Sequence, residues 1–230
     1  MVDMHSHILP FVDDGSDSLK SSVNLIKEEL KNDVDKIIVT PHHKKGHYIA
    51  TIEKIKESFS QLDAELKKEN LNANLYLGQE IYVSDDVYED LKSGEVLTIN
   101  NTKCILIEFN YFVETDIQSY VHNLILLGYT PIIAHIERYT YLDWNVLYDL
   151  KMLGALIQVN ATCLVGLFGR KIQKSVLKAI KAELIDFVAS DIHSGRLAYM
   201  KKAYQKVCKF AGKELADKVF KLNAEKYFNI

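Results

Sequence analysis

Cysteine, proline and glycine are all scarce in this 230-residue sequence, with 3, 3 and 10 copies. The cysteines, Cys104, Cys163 and Cys208, are odd in number and far apart, which excludes a small disulfide-stapled scaffold and suits a reducing compartment. No low-complexity linker and no exact internal repeat divides the chain, so a single domain over 1–230 is expected. Charge of one sign is not in excess either: 28 Lys and Arg stand against 31 Asp and Glu, a net charge of −3. That argues against a nucleic-acid binder working through a broad basic surface. The most apolar stretch, residues 124–133, is cut by Gly128 and Pro131 and falls short of the roughly 18 residues of a membrane span. The first residues carry an acid and two histidines where a signal peptide needs basic and apolar ones. A soluble, cytoplasmic protein is therefore expected.

What is present is an alternation of short apolar runs with amphipathic stretches. The runs fall at 2–4, 36–40, 74–78, 103–108, 131–135, 155–159 and 185–189. Nearly continuous apolar runs of this length mark strands buried on both faces. Between them the spacing predicts helices over 18–31 and 50–68, with shorter ones over 84–92, 116–127, 143–153, 169–181 and 195–211. In the first, Leu19, Val23, Leu25, Ile26 and Leu30 form the apolar stripe, and Ser16, Asp17 or Ser18 can cap it. Residues 212–230 read as one or two C-terminal helices. This succession predicts an α/β fold built as a closed or nearly closed barrel, with an open doubly wound sheet as the alternative.

Metal-capable side chains fall at or just beyond the C-terminal ends of these runs. The first run gives His5 and His7, then Asp13 and Asp14; the second gives His42 and His43; the third and fourth give Glu80 and Glu108. The fifth gives His135 and the seventh Asp191 and His193, whereas the sixth offers only Asn160. In α/β barrels that end of the sheet carries the active site, so residues spread over nearly 190 positions would converge. Taken singly, His42 or His135 is more simply a hydrogen-bonded structural residue. Glu108, behind four apolar residues, needs a cation or a hydrogen-bond partner if buried. As a set, His5, His7, Asp14, His42, Glu80, Glu108, His135, Asp191 and His193 point to metal. Imidazole and carboxylate without thiolate fit Mn, Fe or Zn, and the oxygen-rich share favours Mn or Fe, at about two or three ions.

The charge balance bears on substrate. Divalent ions at about three sites would bring +6 against −4 from Asp14, Glu80, Glu108 and Asp191, suiting a phosphate dianion. Arg138 and Arg196, each following a histidine by three residues, are candidate catalytic donors to phosphoryl oxygens, with rim salt bridges as the plainer alternative. Lys44 and Lys45 read as solvated lysines, and Phe11 as a packing residue that could instead meet a phenol ring.

These residues resemble a family. Asp3-Met4-His5-Ser6-His7 with Asp13-Asp14-Gly15, Thr40-Pro41-His42-His43, Gly78-Gln79-Glu80, Ile107-Glu108-Phe109, Ala134-His135-Ile136-Glu137-Arg138 and Ser190-Asp191-Ile192-His193 are similar to the polymerase-and-histidinol-phosphatase (PHP) superfamily. Within it the chain resembles the manganese-dependent tyrosine-protein phosphatases of bacterial capsule and exopolysaccharide synthesis. The resemblance implies a distorted (β/α)7 TIM-like barrel with a three-metal centre. Carried over residue by residue, it places His5, His7, Glu80 and Asp191 on one ion. Glu80 bridges to a second ion with Glu108 and His135, and Asp14, His42 and His193 hold the third. Asp13 stands beside Asp14 as a rival ligand. Ile136 and Ile192 depart from the pattern and put pocket width and substrate preference in question.

The resemblance further implies hydrolysis of phosphotyrosine by a metal-activated water, on a bacterial tyrosine kinase with a tyrosine-rich tail, beside a membrane complex; it leaves the oligomeric state open. The alternatives are a PHP-type phosphoesterase acting on a small phosphomonoester such as histidinol phosphate, an inactive metal-containing module, and a cysteine mechanism through Cys163 and Arg170. The last is weak, because that segment is apolar and its spacing is one residue too long.

Overall fold

Apolar runs become strands and amphipathic stretches become helices throughout residues 1–230, all of which the computed structural model describes. In chain order, β1 (Val2–Ser6) leads to α1 (Leu19–Lys31), then β2 (Lys36–Val39), β3 (His42–Lys44) and β4 (Tyr48–Ile49). Next come α2 (Ile52–Lys68), β5 (Asn74–Leu77), β6 (Glu80–Tyr82) and α3 (Val87–Ser93). The middle holds β7 (Cys104–Glu108), α4 (Ile117–Leu126), β8 (Thr130–Ile133), α5 (Val146–Leu153) and β9 (Leu156–Asn160). Then follow α6 (Ala161–Leu164), α7 (Arg170–Lys181), β10 (Phe187–Ala189) and α8 (Met200–Ala211). The end is α9 (Lys213–Asp217), a π-helical turn over 218–222, and α10 (Asn223–Phe228).

Side-chain caps fix where several helices begin. Ser18 Oγ accepts from the Ser21 N–H at 3.2 Å, Thr51 Oγ1 from Lys54 at 3.3 Å, and Asp116 Oδ1 from Ser119 at 3.1 Å. The helix expected over 195–211 begins only at Met200. The backbone around its expected start is committed elsewhere: the Ser194 N–H donates to Gly15 O at 2.8 Å and the Arg196 N–H turns back to His193 O at 3.0 Å. The short α6 was not legible from its four-residue pattern.

All seven apolar runs are strands, yet there are ten strands in all. Two runs pass from one sheet to another. β2 and β5 pair with β1 in a three-stranded sheet ordered β1-β2-β5. β3 and β6, two residues further along each chain segment, belong to a seven-stranded sheet ordered β10-β9-β8-β7-β6-β3-β4. The first break falls at Thr40-Pro41, where proline has no N–H to continue the ladder. Every pairing is parallel except the hairpin of β3 with β4. Past the end of β10, the Asp191 N–H donates to His5 O, within β1, at 2.9 Å, and the His7 N–H, just after β1, donates to Ile192 O at 3.0 Å.

The core is divided by the strands. Val2, Met4, Ile38, Leu106, Ile132, Leu156 and Phe187 form one apolar cluster with Ala224 and Phe228 of α10. Asn100, just before β7, donates to Phe228 O at 2.8 Å, so α10 covers the N-terminal strand ends. A larger cluster packs the opposite strand faces against the helices. The C-terminal strand ends are left for the side chains described next. The fold is mixed α/β, and no helix is long and apolar enough to cross a membrane.

Candidate metal centre

The first ligands come from β1 and the loop after it. Pairing of β1 with β2 shifts register between Asp3 and Ser6, the kind of irregularity that re-aims side chains next to active sites. His5 and His7 are both fully buried there, with their Nε2 atoms 3.1 Å apart. Glu80 Oε2, from the first residue of β6, lies 3.2 Å from each. Asp191 Oδ1 lies 3.7 Å from His5 Nε2 and 3.6 Å from His7 Nε2. Four electron-rich atoms on three segments thus face one point.

The remaining expected ligands surround this cluster. The other Glu80 oxygen is 2.9 Å from His135 Nε2, which is 3.7 Å from Glu108 Oε1. His42 Nδ1 approaches Glu80 Oε2 at 3.0 Å, while its Nε2 faces Asp14 Oδ1 at 3.7 Å. His193 Nε2 lies 3.7 Å from that same Asp14 oxygen. His7, Asp14, His42 and His193 can offer atoms to one ion, as can His5, His7 and Glu80, and also His42, Glu80 and Glu108. His43 stands apart, pairing with Asp90 at 3.3 Å.

Buried Glu80 Oε2, Glu108 Oε2 and His42 Nδ1 have no hydrogen-bond partner within the protein. Unpartnered polar atoms in a buried site are costly, and cations held among them would satisfy them. The electrostatics agree. Burial alone would raise the Glu80 carboxyl, but His5, His42 and His135 hold it well below the usual range. Burial opposes charge on His5, yet Glu80 and Asp191 carry its pKa above the ordinary value. His193, buried and beside His7, is pushed down to about 4. The donor set therefore fits divalent ions: Glu80 and Asp191 are held ionised, and His5 and His7, drawn toward charge by their carboxylate neighbours, would give up a ring proton to a cation in the same place.

Outer partners orient these donors. Asp13 Oδ2 accepts from His7 Nδ1 at 2.8 Å and from the His42 N–H at 2.9 Å, and Oδ1 accepts from Gly15 N–H at 2.9 Å. Asp13 is thus turned inward onto His7, whereas Asp14 faces His42 and His193. His7, opposed by burial but drawn by Asp13, has its pKa raised well above the ordinary value, while Asp13 is lowered to about 2. Gly15 lies so close to His7 that a Cβ would stand 2.0 Å from His7 O.

β9, the strand without a carboxylate or imidazole, contributes what sequence reasoning missed. Gln158 is fully buried. Its Oε1 accepts from the His135 N–H at 2.6 Å and lies 3.3 Å from His5 Nδ1. Its Nε2 donates to Asn160 Oδ1 at 2.7 Å, and Asn160 Nδ2 donates to Asp191 Oδ2 at 2.8 Å. This chain fixes His5 with Nδ1 outward, leaving Nε2 for a cation, and leaves Asp191 Oδ1 free. The second ring nitrogen of a histidine ligand ordinarily donates to an oxygen, here an amide oxygen, and the signal was Gln158 and Asn160 at alternate positions of an apolar strand.

A cleft of about 270 Å³ opens above these atoms. Arg138 and Arg196 both line it, with Lys44, His47, Tyr48 and Tyr111. Arg138 donates to Asp191 Oδ2 at 3.2 Å and lies 4.3 Å over the Tyr111 ring, whose hydroxyl donates to Glu108. Lys44 stands 4.1 Å over Tyr82, and Lys45 pairs with Asp86 and Asp90. Ile136 and Ile192 are buried in the core and do not line the cleft, so they do not set its width directly. Phe11 is 66% exposed, which corrects the packing role expected for it, and it too lies off the cleft wall.

Cys163 is fully buried on α6, its Sγ donating to Asn160 O at 2.8 Å. Burial, then the Glu137 charge, raises its pKa well above the ordinary value. Arg170 opens α7 as an exposed residue. A thiolate nucleophile in a phosphate-binding loop has no place here.

The sequence profile of the family "Capsular polysaccharide synthesis, CpsB/CapC" matches residues 1–229. The chain belongs to the CpsB/CapC family. CapC from Staphylococcus aureus is 41% identical over 202 residues, covering 84% of this chain and 77% of that one. The tyrosine-protein phosphatase CpsB of Streptococcus agalactiae is 34% identical over 235 residues, 98% of this chain and 97% of that one. A crystal structure from work on the metal-dependent tyrosine phosphatases YwqE of Bacillus subtilis and CpsB of Streptococcus pneumoniae superposes with a TM-score of 0.93 at 34% identity. It covers 100% of this chain and 94% of that one. In fold alone, the chain also resembles an amidohydrolase from Mycoplasma synoviae, with a TM-score of 0.67 at 14% identity, covering 99% of this chain and 87% of that one.

Proposed function

We propose that this CpsB/CapC protein is a metal-dependent protein-tyrosine phosphatase, a phosphoric monoester hydrolase acting in capsular or exopolysaccharide synthesis. The observation that carries the reading is the meeting of His5 Nε2, His7 Nε2, Glu80 Oε2 and Asp191 Oδ1 within 3.1–3.7 Å of one another's histidine nitrogens, beneath a cleft lined by two arginines. His5, His7, Glu80 and Asp191 would hold one ion. Glu80, Glu108 and His135 would hold a second, and Asp14, His42 and His193 a third. Manganese is the ion we assign, on the mixed imidazole and oxygen donors. When bound, such ions lower the pKa of a water toward neutrality and neutralise phosphoryl charge.

The chain's own residues do the rest. Arg138, already charge-paired at the floor of the cleft, can turn one guanidinium edge to a phosphoryl oxygen while its face stays on Tyr111. Arg196 also lines the cleft, its Nη1 3.4 Å from His193 Nδ1, and can meet a second oxygen. Gln158, Asn160 and Asp13 hold the imidazoles and Asp191 in place, so that little reorganisation accompanies the reaction.

We further propose that residues 1–230 form one domain, a distorted (β/α)7 barrel. The hydrogen bonds joining His5 and His7 to Asp191 and Ile192 support closure between its first and last strands. The partner we assign is the phosphorylated tail of a bacterial tyrosine kinase, reached in the cytoplasm beside a membrane complex.

The test is turnover of a tyrosine-phosphorylated peptide before and after exhaustive chelation, with manganese added back, in the parent and in Cys163→Ser. Turnover should vanish on chelation, return with manganese, and persist in Cys163→Ser. Turnover that survives chelation, or that a folded Cys163→Ser lacks, would overturn the proposal.

A further inference from the structure

The turn between α6 and α7 is built to hold two apolar side chains outward. Gly166 and Gly169 have φ of +91° and +86°, a region open to glycine, and the Gly169 N–H donates to Gly166 O at 3.0 Å. The Leu167 N–H donates to Thr162 O at 3.1 Å, and Gln173 Nε2 donates to Leu164 O at 2.6 Å, tying the turn to both helices. Between the glycines, Leu167 is 61% exposed and Phe168 44%. With Leu197, 52% exposed, they border a second cavity of about 260 Å³.

That cavity adjoins the metal-centre cleft: Arg138, Asp191 and Arg196 line both. The cleft itself is walled by imidazoles, carboxylates and cations, and its aromatic residues are engaged: Tyr111 lies under Arg138 and Tyr48 stacks on His42 at 5.6 Å. A phosphoryl group suits that polar wall, but an aromatic leaving group does not. In an aryl phosphate a single oxygen joins phosphorus to the ring, so the ring must lie in the space directly beside the phosphoryl site. An apolar patch rimmed by polar residues marks a binding surface.

We propose that Leu167, Phe168 and Leu197 form the leaving-group subsite, the shelf on which the phenol ring of phosphotyrosine rests while Arg138 and Arg196 hold its phosphoryl oxygens. This rests on the phosphatase reading and adds to it the residues that select an aromatic over an alkyl phosphomonoester. Stacking on Phe168 and burial against the two leucines account for a preference of about tenfold.

The experiment compares binding of 4-(phosphonomethyl)phenylalanine and of methylphosphonate to the manganese-loaded protein by calorimetry. It is run on the parent, Phe168→Ala, Leu197→Ala and Phe168→Tyr. The parent should prefer the aryl ligand, each alanine variant should lose about twofold to fivefold of that preference, and Phe168→Tyr should retain it. An unchanged preference in Phe168→Ala and Leu197→Ala would overturn the shelf. Hydrolysis of free phosphotyrosine and of glycerol 3-phosphate is measured alongside. A parent that hydrolyses neither phosphotyrosine nor a phosphotyrosine peptide would overturn the phosphatase reading, while the binding ratio would still decide the shelf.

Discussion

Replacing Gln158 by leucine tests whether β9 governs ion binding without touching an ion. The side chain is fully buried, and leucine matches its bulk without its amide. The His135 N–H and Asn160 Oδ1 would each lose a partner within the core, at about 1–3 kcal/mol apiece, so a destabilisation of about 4 kcal/mol is expected. His5 would lose the amide oxygen 3.3 Å from Nδ1 that fixes its ring. Lost orienting partners of metal-bound histidines cost about 10–100-fold in affinity, or about 1.4–2.7 kcal/mol. The assay is titration of manganese into chelator-stripped protein, with folding checked by melting in chelator. A folded Gln158→Leu protein that binds manganese within about twofold of the parent would refute the reasoning.

Three further outcomes are expected. Arg138→Ala should lower kcat/KM on a phosphotyrosine peptide by about 100-fold, and a loss under about threefold would remove Arg138 from the machinery. Gly15→Ala places a methyl 2.0 Å from His7 O and 2.4 Å from His7 Cβ, so His7 must move. Melting should show a loss of about 4 kcal/mol or more and titration a loss of ion binding; unchanged values would contradict the packing. The third concerns Glu29, which is fully buried with neither carboxylate oxygen hydrogen-bonded. Burial, then the Asp3 charge, pushes its pKa well above 4.5. The folded chain therefore keeps a proton that the unfolded chain releases. This contribution is present in full below pH 4.5 and lost as pH rises through the raised value. Glu29→Gln should flatten that decline in the melting temperature of chelated protein, and parallel curves would refute it.

The strands and most helices were legible because burial on both faces leaves an apolar signature and amphipathic packing leaves a period of 3.6. The candidate ligands were legible for a related reason: histidine and carboxylate directly after an apolar run have few uses other than hydrogen bonding or coordination. What stayed hidden depends on partners distant in sequence. His42 and Glu80 stand on their own short strands because two runs change sheets, and the breaks at Thr40-Pro41 and Gly78-Gln79 carry only a proline and a glycine as signals of it. Asp13 and Asp14 are equivalent in sequence and separate only through contacts with His7 on one side and with His42 and His193 on the other. Gln158 looked like an ordinary polar residue in a strand until His5 and His135 were seen on either side of its amide oxygen.

The passage of two chain segments from one sheet to the other places the donors on both sides of a seam. His5 stands on the smaller sheet, while Glu80 and Glu108 stand on the larger. A cation gripped between them would act as a rivet, resisting shear of one sheet past the other. Ionic radius would then be felt as the spacing across that seam, and tolerance for one ion over another would depend on how far the two edges can slide as well as on the chemistry of the atoms that touch it.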